Sequence, residues 1–322
     1  MKMNRRSFLA QTVAASAGAT LVLPARAQTT PTSARSDGTP APAAAALPTG
    51  RIGKLQISRL ISGGNLISGW AHSRDLFYVP SLMRHYNTDE KVLDTLEILE
   101  QNGVNTIIAD PSERPLRLLP KYWKERGGRI QWIAEGHPTS KDLKTNMAAS
   151  IDTGAKAVYV QGVIGDRWLR GGEPDLLGEC VSFIKSQGLP GGIGAHLLDV
   201  VAKAEERRYG ADFYVKTFHH TRYWSARRPD QNQDVVDNSA DNYWEMTPEK
   251  TIEFMKDVEK PWIAFKVLAA GAIRPESGFR YAFENGADFV CVGMFDFQVA
   301  EDAALARKVL AASSQRERPW MG

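Results

Sequence analysis

TDEKVLDTLEILEQNGVNTIIA, residues 88–109, contains one full unit of a repeating plan. Thr88 is an N-cap candidate, Asp89 and Glu90 fill the first turn, and Val92, Leu93, Leu96, Ile98 and Leu99 form an apolar stripe at helical spacing. Gly103 is a stop signal, and residues 104–109 make a short apolar run of the kind found in buried parallel strands. The same glycine-then-strand ending recurs at Gly127-Gly128, Gly154-Ala155, Gly188, Gly210-Ala211 and Gly286-Ala287.

Working outward, strands are predicted over 57–63, 104–109, 129–134, 156–160, 191–195, 211–216, 261–267 and 287–293. Helical patterns fall between and after them at about 88–102, 114–126, 139–153, 174–187, 197–209, 247–258, 275–285 and 299–312. Eight strand-then-helix units over residues 51–322 predict a single (β/α)8 TIM barrel. The rival, an open doubly wound sheet, lacks a glycine fingerprint after its first strand. Gly191-Gly192-Ile193-Gly194 leads into a strand instead of leaving one, so it carries no dinucleotide signal.

The chain has 322 residues with 40 Lys and Arg, 37 Asp and Glu and a net charge of +3. Lys2, Arg5, Arg6 and Arg26 lie in residues 1–27, which hold no acid; the remainder carries 36 basic and 37 acidic residues. Without a basic surface to account for, nucleic acid loses its compositional support. A basic start, an apolar run over 8–24 and Ala25-Arg26-Ala27 describe an export signal. The run is too short and too rich in small residues for a stable membrane span. Arg5-Arg6 with Phe8-Leu9 resembles the twin-arginine signal family, which implies a twin-arginine export machinery as partner and a periplasmic or secreted location. Residues 28–50 are Pro, Ala, Thr and Ser with few large apolar side chains, and read as a disordered, flexible linker. Cys180 and Cys291 sit in separate apolar runs and are expected as unpaired thiols.

Barrel chemistry gathers at the C-terminal ends of the strands. Those ends carry Asn65, Asp110, Glu135 with His137, Gln161, His196, His219-His220, Lys266 with Gly271, and Gly293. All six histidines fall in strand-to-helix segments. Two long connections, 65–87 and 218–246, add Trp70, Arg74, Arg222 and Trp224, a mixture of aromatic and charged groups suited to a polar, ring-bearing substrate and almost as well to a protein partner. Glu135, His137, His196 and His219 are candidate ligands for a divalent metal, although no metal-binding spacing supports them. The metal-free reading makes Glu135, His137 and His196 general acid–base groups, Lys266 an electrophilic or anion-binding group and Asp110 an orienting carboxylate. Asn65, Trp70, Arg74, Gln161, His219, His220, Arg222 and Trp224 are the expected substrate contacts, and Gly271 and Gly293 a candidate anion site.

ISRLISGGN, LEILEQNGVNTIIADPS, GIGAH, FKVLAAGAI and VCVGMFDFQVAED resemble successive segments of the aldo/keto reductase-like barrels, over about 51–310. The resemblance implies the same barrel and, for the family, an Asp–Tyr–Lys–His tetrad working with NAD(P). The tetrad is not preserved: Asp110 stands slightly out of register with no Tyr after it, Glu135 replaces the Lys and Gln161 the His. The expected function is therefore an exported barrel enzyme acting on a small, polar, carbohydrate-like substrate by lyase, isomerase or hydrolase chemistry. A reductase-like oxidoreductase holding NAD(P) tightly and a non-catalytic solute-binding barrel are the alternatives.

Overall fold

The computed structural model describes residues 46–73, 76–228, 230, 245–313 and 316–322. The leader, the linker up to residue 45 and Arg74 lie outside the described residues. Residues before Arg51 take part in the fold. Leu47 is buried, and β1 (Thr49–Ile52) pairs antiparallel with β2 (Leu55–Ser58) across a turn in which Gly53 has φ +57°.

The next eight strands are β3 (Leu60–Gly63), β4 (Thr106–Ala109), β5 (Gln131–Gly136), β6 (Ala157–Val160), β7 (Gly191–Ala195), β8 (Phe213–Thr217), β9 (Trp262–Phe265) and β10 (Phe289–Val292). All pair in parallel, in sequence order, and β10 closes on β3 through Val290↔Leu60 and Cys291↔Ile61. Eight parallel strands closed on themselves with helices outside form an α/β TIM barrel, as the repeat predicts.

Each predicted helix is present. After β3 come α1 (Asn65–Ser68), α2 (Val79–Tyr86) and α3 (Asp89–Gln101), whose Thr88 hydroxyl accepts from the Lys91 N–H as an N-cap. The later helices are α4 (Glu113–Glu125), α5 (Thr145–Thr153), α6 (Gly162–Arg170), α7 (Asp175–Ser186), α8 (Leu198–Glu206), α9 (Pro248–Lys256), α10 (Pro275–Glu284) and α11 (Asp296–Ala312). The short helices α1, α2 and α6 are additions at the C-terminal end of the barrel, two of them inside the long connection 65–87.

Strand alternation splits the core into two shells. Ile61, Ile108, Ile133, Tyr159, Phe213, Val215, Ile263 and Phe289 fill the barrel, while Leu60, Ile107, Trp132, Val160 and Tyr214 face the helices. Gly192 and Gly194 make room inside the barrel. A Cβ at Gly192 would lie 2.6 Å from the Phe213 ring, and one at Gly194 3.0 Å from Tyr159 Cε2. Two large rings thus fill the space that two inward positions of β7 leave vacant.

The N-terminal end of the barrel is floored. Ile52 and Ile57 of the hairpin close it from within. Arg59 donates to Asp288 O at 2.8 Å and Gly322 O at 3.0 Å, and its guanidinium lies 3.7 Å from the centre of the Trp320 ring. Arg318, 3% exposed, pairs with Asp288 at 2.7 Å. Both cysteines are free thiols: Cys180 is buried among the helices, and Cys291 lies half-buried on the inner face of β10.

Candidate active site

The inward positions at the C-terminal ends of β5 and β6 bring four polar groups together. Glu135 Oε2 accepts from the Tyr159 hydroxyl at 2.5 Å, and Oε1 accepts from Gln161 Nε2 at 2.9 Å and lies 3.2 Å from His137 Nε2. His137 is itself anchored by its backbone N–H, which donates to Asn146 Oδ1 at 2.6 Å. Burial acts to raise the Glu135 pKa, but the bonds from His137, Tyr159 and Gln161 outweigh it and hold the carboxyl below its usual range. Burial likewise opposes charge on His137, yet Glu135, with a smaller contribution from Asp110, raises the imidazole above its ordinary value. Burial and the Glu135 charge keep Tyr159 a neutral phenol, far above its usual range.

A second station stands on β7 and α6. His196, 4% exposed, places Nδ1 2.7 Å from Asp166 Oδ2, and Asp166 is fully buried. The same carboxylate accepts from the backbone N–H groups of His196 at 3.2 Å and Leu197 at 3.0 Å. Burial, and after it the charge of Lys266, push the His196 pKa down to about 4 against the pull of Asp166. Two imidazoles at one barrel end are therefore driven in opposite directions, a pattern that separates acid from base.

Lys266 stands one residue beyond β9, half-buried, with φ +58° and its Nζ 5.5 Å from the centre of the Phe265 ring. The sequence pattern extends that strand to residue 267; a left-handed backbone at Lys266 ends it at Phe265. Ala269, Ala270 and Gly271 follow with φ of +45°, +55° and +83°, three consecutive left-handed residues, two of which carry a Cβ.

The other expected residues divide clearly. Asp110 accepts from Ser68 Oγ at 2.5 Å and from Trp70 Nε1 at 3.4 Å, so it ties α1 and the following loop to the barrel mouth. Asn65 is exposed, as are Trp70 at 58% and Trp224 at 86%. Gly293 is overlain by Leu66, 3.3 Å from where a Cβ would stand, whereas Gly271 has nothing within 4 Å. His219 and His220 are held by their own loop. His219 Nε2 accepts from the Glu245 N–H at 2.9 Å while its Nδ1 lies 2.9 Å from His220 O. His220 Nδ1 accepts from the Arg222 N–H at 3.1 Å, and its Nε2 lies 3.0 Å from Ser277 Oγ. Arg222 itself is exposed.

The proposed metal quartet does not converge: His196 is engaged by Asp166, both ring nitrogens of His219 are used by backbone, and only Glu135 and His137 adjoin. Among the described residues no group of three or more His, Cys, Asp or Glu is placed to hold a metal ion. Nor do the residues present fit the reductase tetrad, because Glu135 and Gln161 are hydrogen-bonded to each other where the Lys and His would stand.

Tyr159 and Asp166 were not anticipated from sequence, and Lys216 is legible there as a strand-end residue but without its partner. Tyr159 follows from strand parity, since Ala157 and Tyr159 must share a face. Asp166 is 30 residues from His196 and lies on a helix interrupted by glycine. Lys216 faces outward on β8, where it forms a buried ion pair with Glu245 at 2.6 Å, both side chains at most 1% exposed. Glu245 also accepts from the Thr247 N–H at 2.9 Å, so this pair fastens the returning end of the 218–246 connection.

No protein-family model matches the chain, and neither does any curated protein. Solved structures do resemble it. A protein from Pseudomonas aeruginosa described as an aldo-keto reductase superposes with a TM-score of 0.56 at 15% identity, over 83% of this chain and 96% of that one. A second aldo-keto reductase structure from that organism gives the same score and identity over 81% and 96%. Gox0644 in its apo form gives 0.54 at 7% identity over 85% and 96%. At these identities the likeness establishes the barrel and leaves the chemistry to the residues.

Proposed function

We propose that the chain is an exported barrel enzyme that moves protons on a small, polar, carbohydrate-like substrate at the C-terminal end of the barrel. The observation that carries this reading is the Glu135–His137–Tyr159–Gln161 cluster beside a histidine of opposite tendency, His196. In this reading Glu135 favours the charged form of His137, and His137 delivers a proton to a carbonyl or leaving oxygen. His196, neutral at pH 7, takes a proton from the substrate. Lys266 supplies positive charge where an enolate or carboxylate develops. Trp70, roped to Asp110, and Trp224 offer aromatic faces to a sugar-like ring. This is the equipment of a lyase or isomerase, and equally of a hydrolase whose water is activated by His196. The export half of the proposal rests on the twin arginines and the small-residue site of residues 1–27.

The test begins with a thermal-shift screen of sugars, sugar acids and NAD(P)H, followed by turnover of each hit. E135Q is expected to lower turnover by about 10²-fold or more, because His137 loses the carboxylate that favours its charged form and the acid step is worth that much. Full turnover in E135Q rejects the assignment, and stabilisation by NAD(P)H alone redirects it to redox chemistry. Recovery of the chain from the cytoplasm alone would reject export.

A further inference from the structure

Resting on that acid–base reading, we propose that Asp166 is a positioning residue that fixes the proton of His196 on Nδ1 and leaves the Nε2 lone pair as the acceptor at the barrel mouth. The local fold is built for this contact. A helix laid across the end of β7 must come close, and α6 does so through two glycines. A Cβ at Gly165 would stand 2.8 Å from Gly194 O, and one at Gly162 would stand 3.1 Å from His196 Cε1. The adjoining residue, Asp166, thereby reaches over the strand end with no solvent exposure.

The carboxylate is then over-determined. Two backbone N–H groups, from His196 and Leu197, converge on it at the start of α8, leaving the imidazole as its third partner at 2.7 Å. A buried carboxylate held by two donors remains an acceptor, so the hydrogen between it and Nδ1 belongs to the ring. His196 Nε2 makes no hydrogen bond to a described residue, and the ring packs against Phe265 at 5.4 Å between centroids. The charged groups acting on the ring come from three elements: Asp166 on α6, Lys266 after β9 and Lys216 on β8. Both lysines oppose protonation of Nε2, so Asp166 can orient the ring without charging it.

An acidic cap on α8 with no bearing on proton transfer would make the same backbone bonds. The two roles separate when the carboxylate becomes an amide, because D166N keeps an oxygen for both N–H groups but no longer fixes the ring proton. The experiment is long-range proton–nitrogen NMR on histidine-labelled full-length protein, with His196 assigned by loss of its signals in H196Q. The expected wild-type spectrum has His196 protonated at Nδ1 and bare at Nε2 throughout pH 5–8. D166N is expected to show the Nε2–H form or a mixture, with unfolding little changed. On an identified substrate, D166N is expected to lose about 10²–10⁴-fold in kcat with a smaller change in KM. A wild-type His196 that carries its proton on Nε2 overturns the proposal, and that spectrum alone decides if D166N does not fold. An unchanged tautomer in a folded D166N overturns it as well. Nδ1 protonation without any detectable turnover leaves the positioning intact and counts against the acid–base reading instead.

Discussion

Gly165→Ala is the sharpest probe of how the site is held. The new methyl carbon would sit 2.8 Å from the carbonyl oxygen of Gly194, against about 3.4 Å for ordinary contact. The obstacle is backbone of a barrel strand and cannot swing away, so α6 must retreat by roughly half an ångström. Three contributions set the outcome. Alanine in place of glycine within a helix is worth about 1 kcal/mol in favour of the variant. Overpacking costs about 1–3 kcal/mol. Stretching the 2.7 Å Asp166–His196 bond in a dry setting forfeits part of the roughly 1.5–3 kcal/mol carried by a hydrogen bond to a charged group. The expected net is a loss of about 2–3 kcal/mol, which for a domain of this size lowers Tm by roughly 4–5 °C. Urea and thermal unfolding measure it directly, and histidine NMR shows whether His196 has lost its fixed tautomer. A variant as stable as the parent, or more so, refutes the claim that α6 is pressed against β7 by the absence of a side chain at 165.

Two further outcomes follow from buried charge. K216M strands the Glu245 carboxylate at an almost fully buried position and is expected to cost about 3–5 kcal/mol in urea unfolding. K216M/E245L is expected to be the more stable of the two variants, and a double variant worse than the single would show that the pair is not the source of the loss. His196 gives the pH dependence. Its folded value is depressed to about 4 from an ordinary 6.5, so between those values the unfolded chain binds the extra proton and stability falls as pH falls. The contribution is on the order of 3 kcal/mol, and H196Q should flatten the decline measured by urea midpoints between pH 7 and pH 4.5.

Much of this barrel is legible in the sequence because a parallel strand buried on both faces must be a short apolar run, and its crossover must carry a stripe. What escapes is governed by partners distant in the chain. The segment GVIGDRWLR has no full apolar stripe, being a nine-residue helix that presses two glycines against β7, so neither α6 nor Asp166 stands out. His219 and His220 look like ligands because they follow a strand, yet loop backbone claims three of their ring nitrogens and Ser277 the fourth. The hairpin was hidden by its surroundings. TGRIGKLQIS alternates like a strand pair, but the Pro and Ala tract before it sets the apparent boundary two residues too late. Glu135, His137 and His196 are readable, since the strand ends that carry them are fixed by the repeat.

The floor of the barrel bears on how the chain acquires its shape during synthesis. Arg59 finds its carbonyl partners 229 and 263 positions further along, and the Trp320 ring beneath it is gripped on its other side by Arg316 at 3.6 Å. A ribosome delivers the hairpin first and these partners only once the chain has reached residue 288 and beyond. Until then the guanidinium has water for company and the hairpin has nothing to seal. The floor is therefore completed only by residues 288–322, whatever the earlier strands have already formed. The last residues of the chain thus seal the end of the barrel that the first hairpin opens.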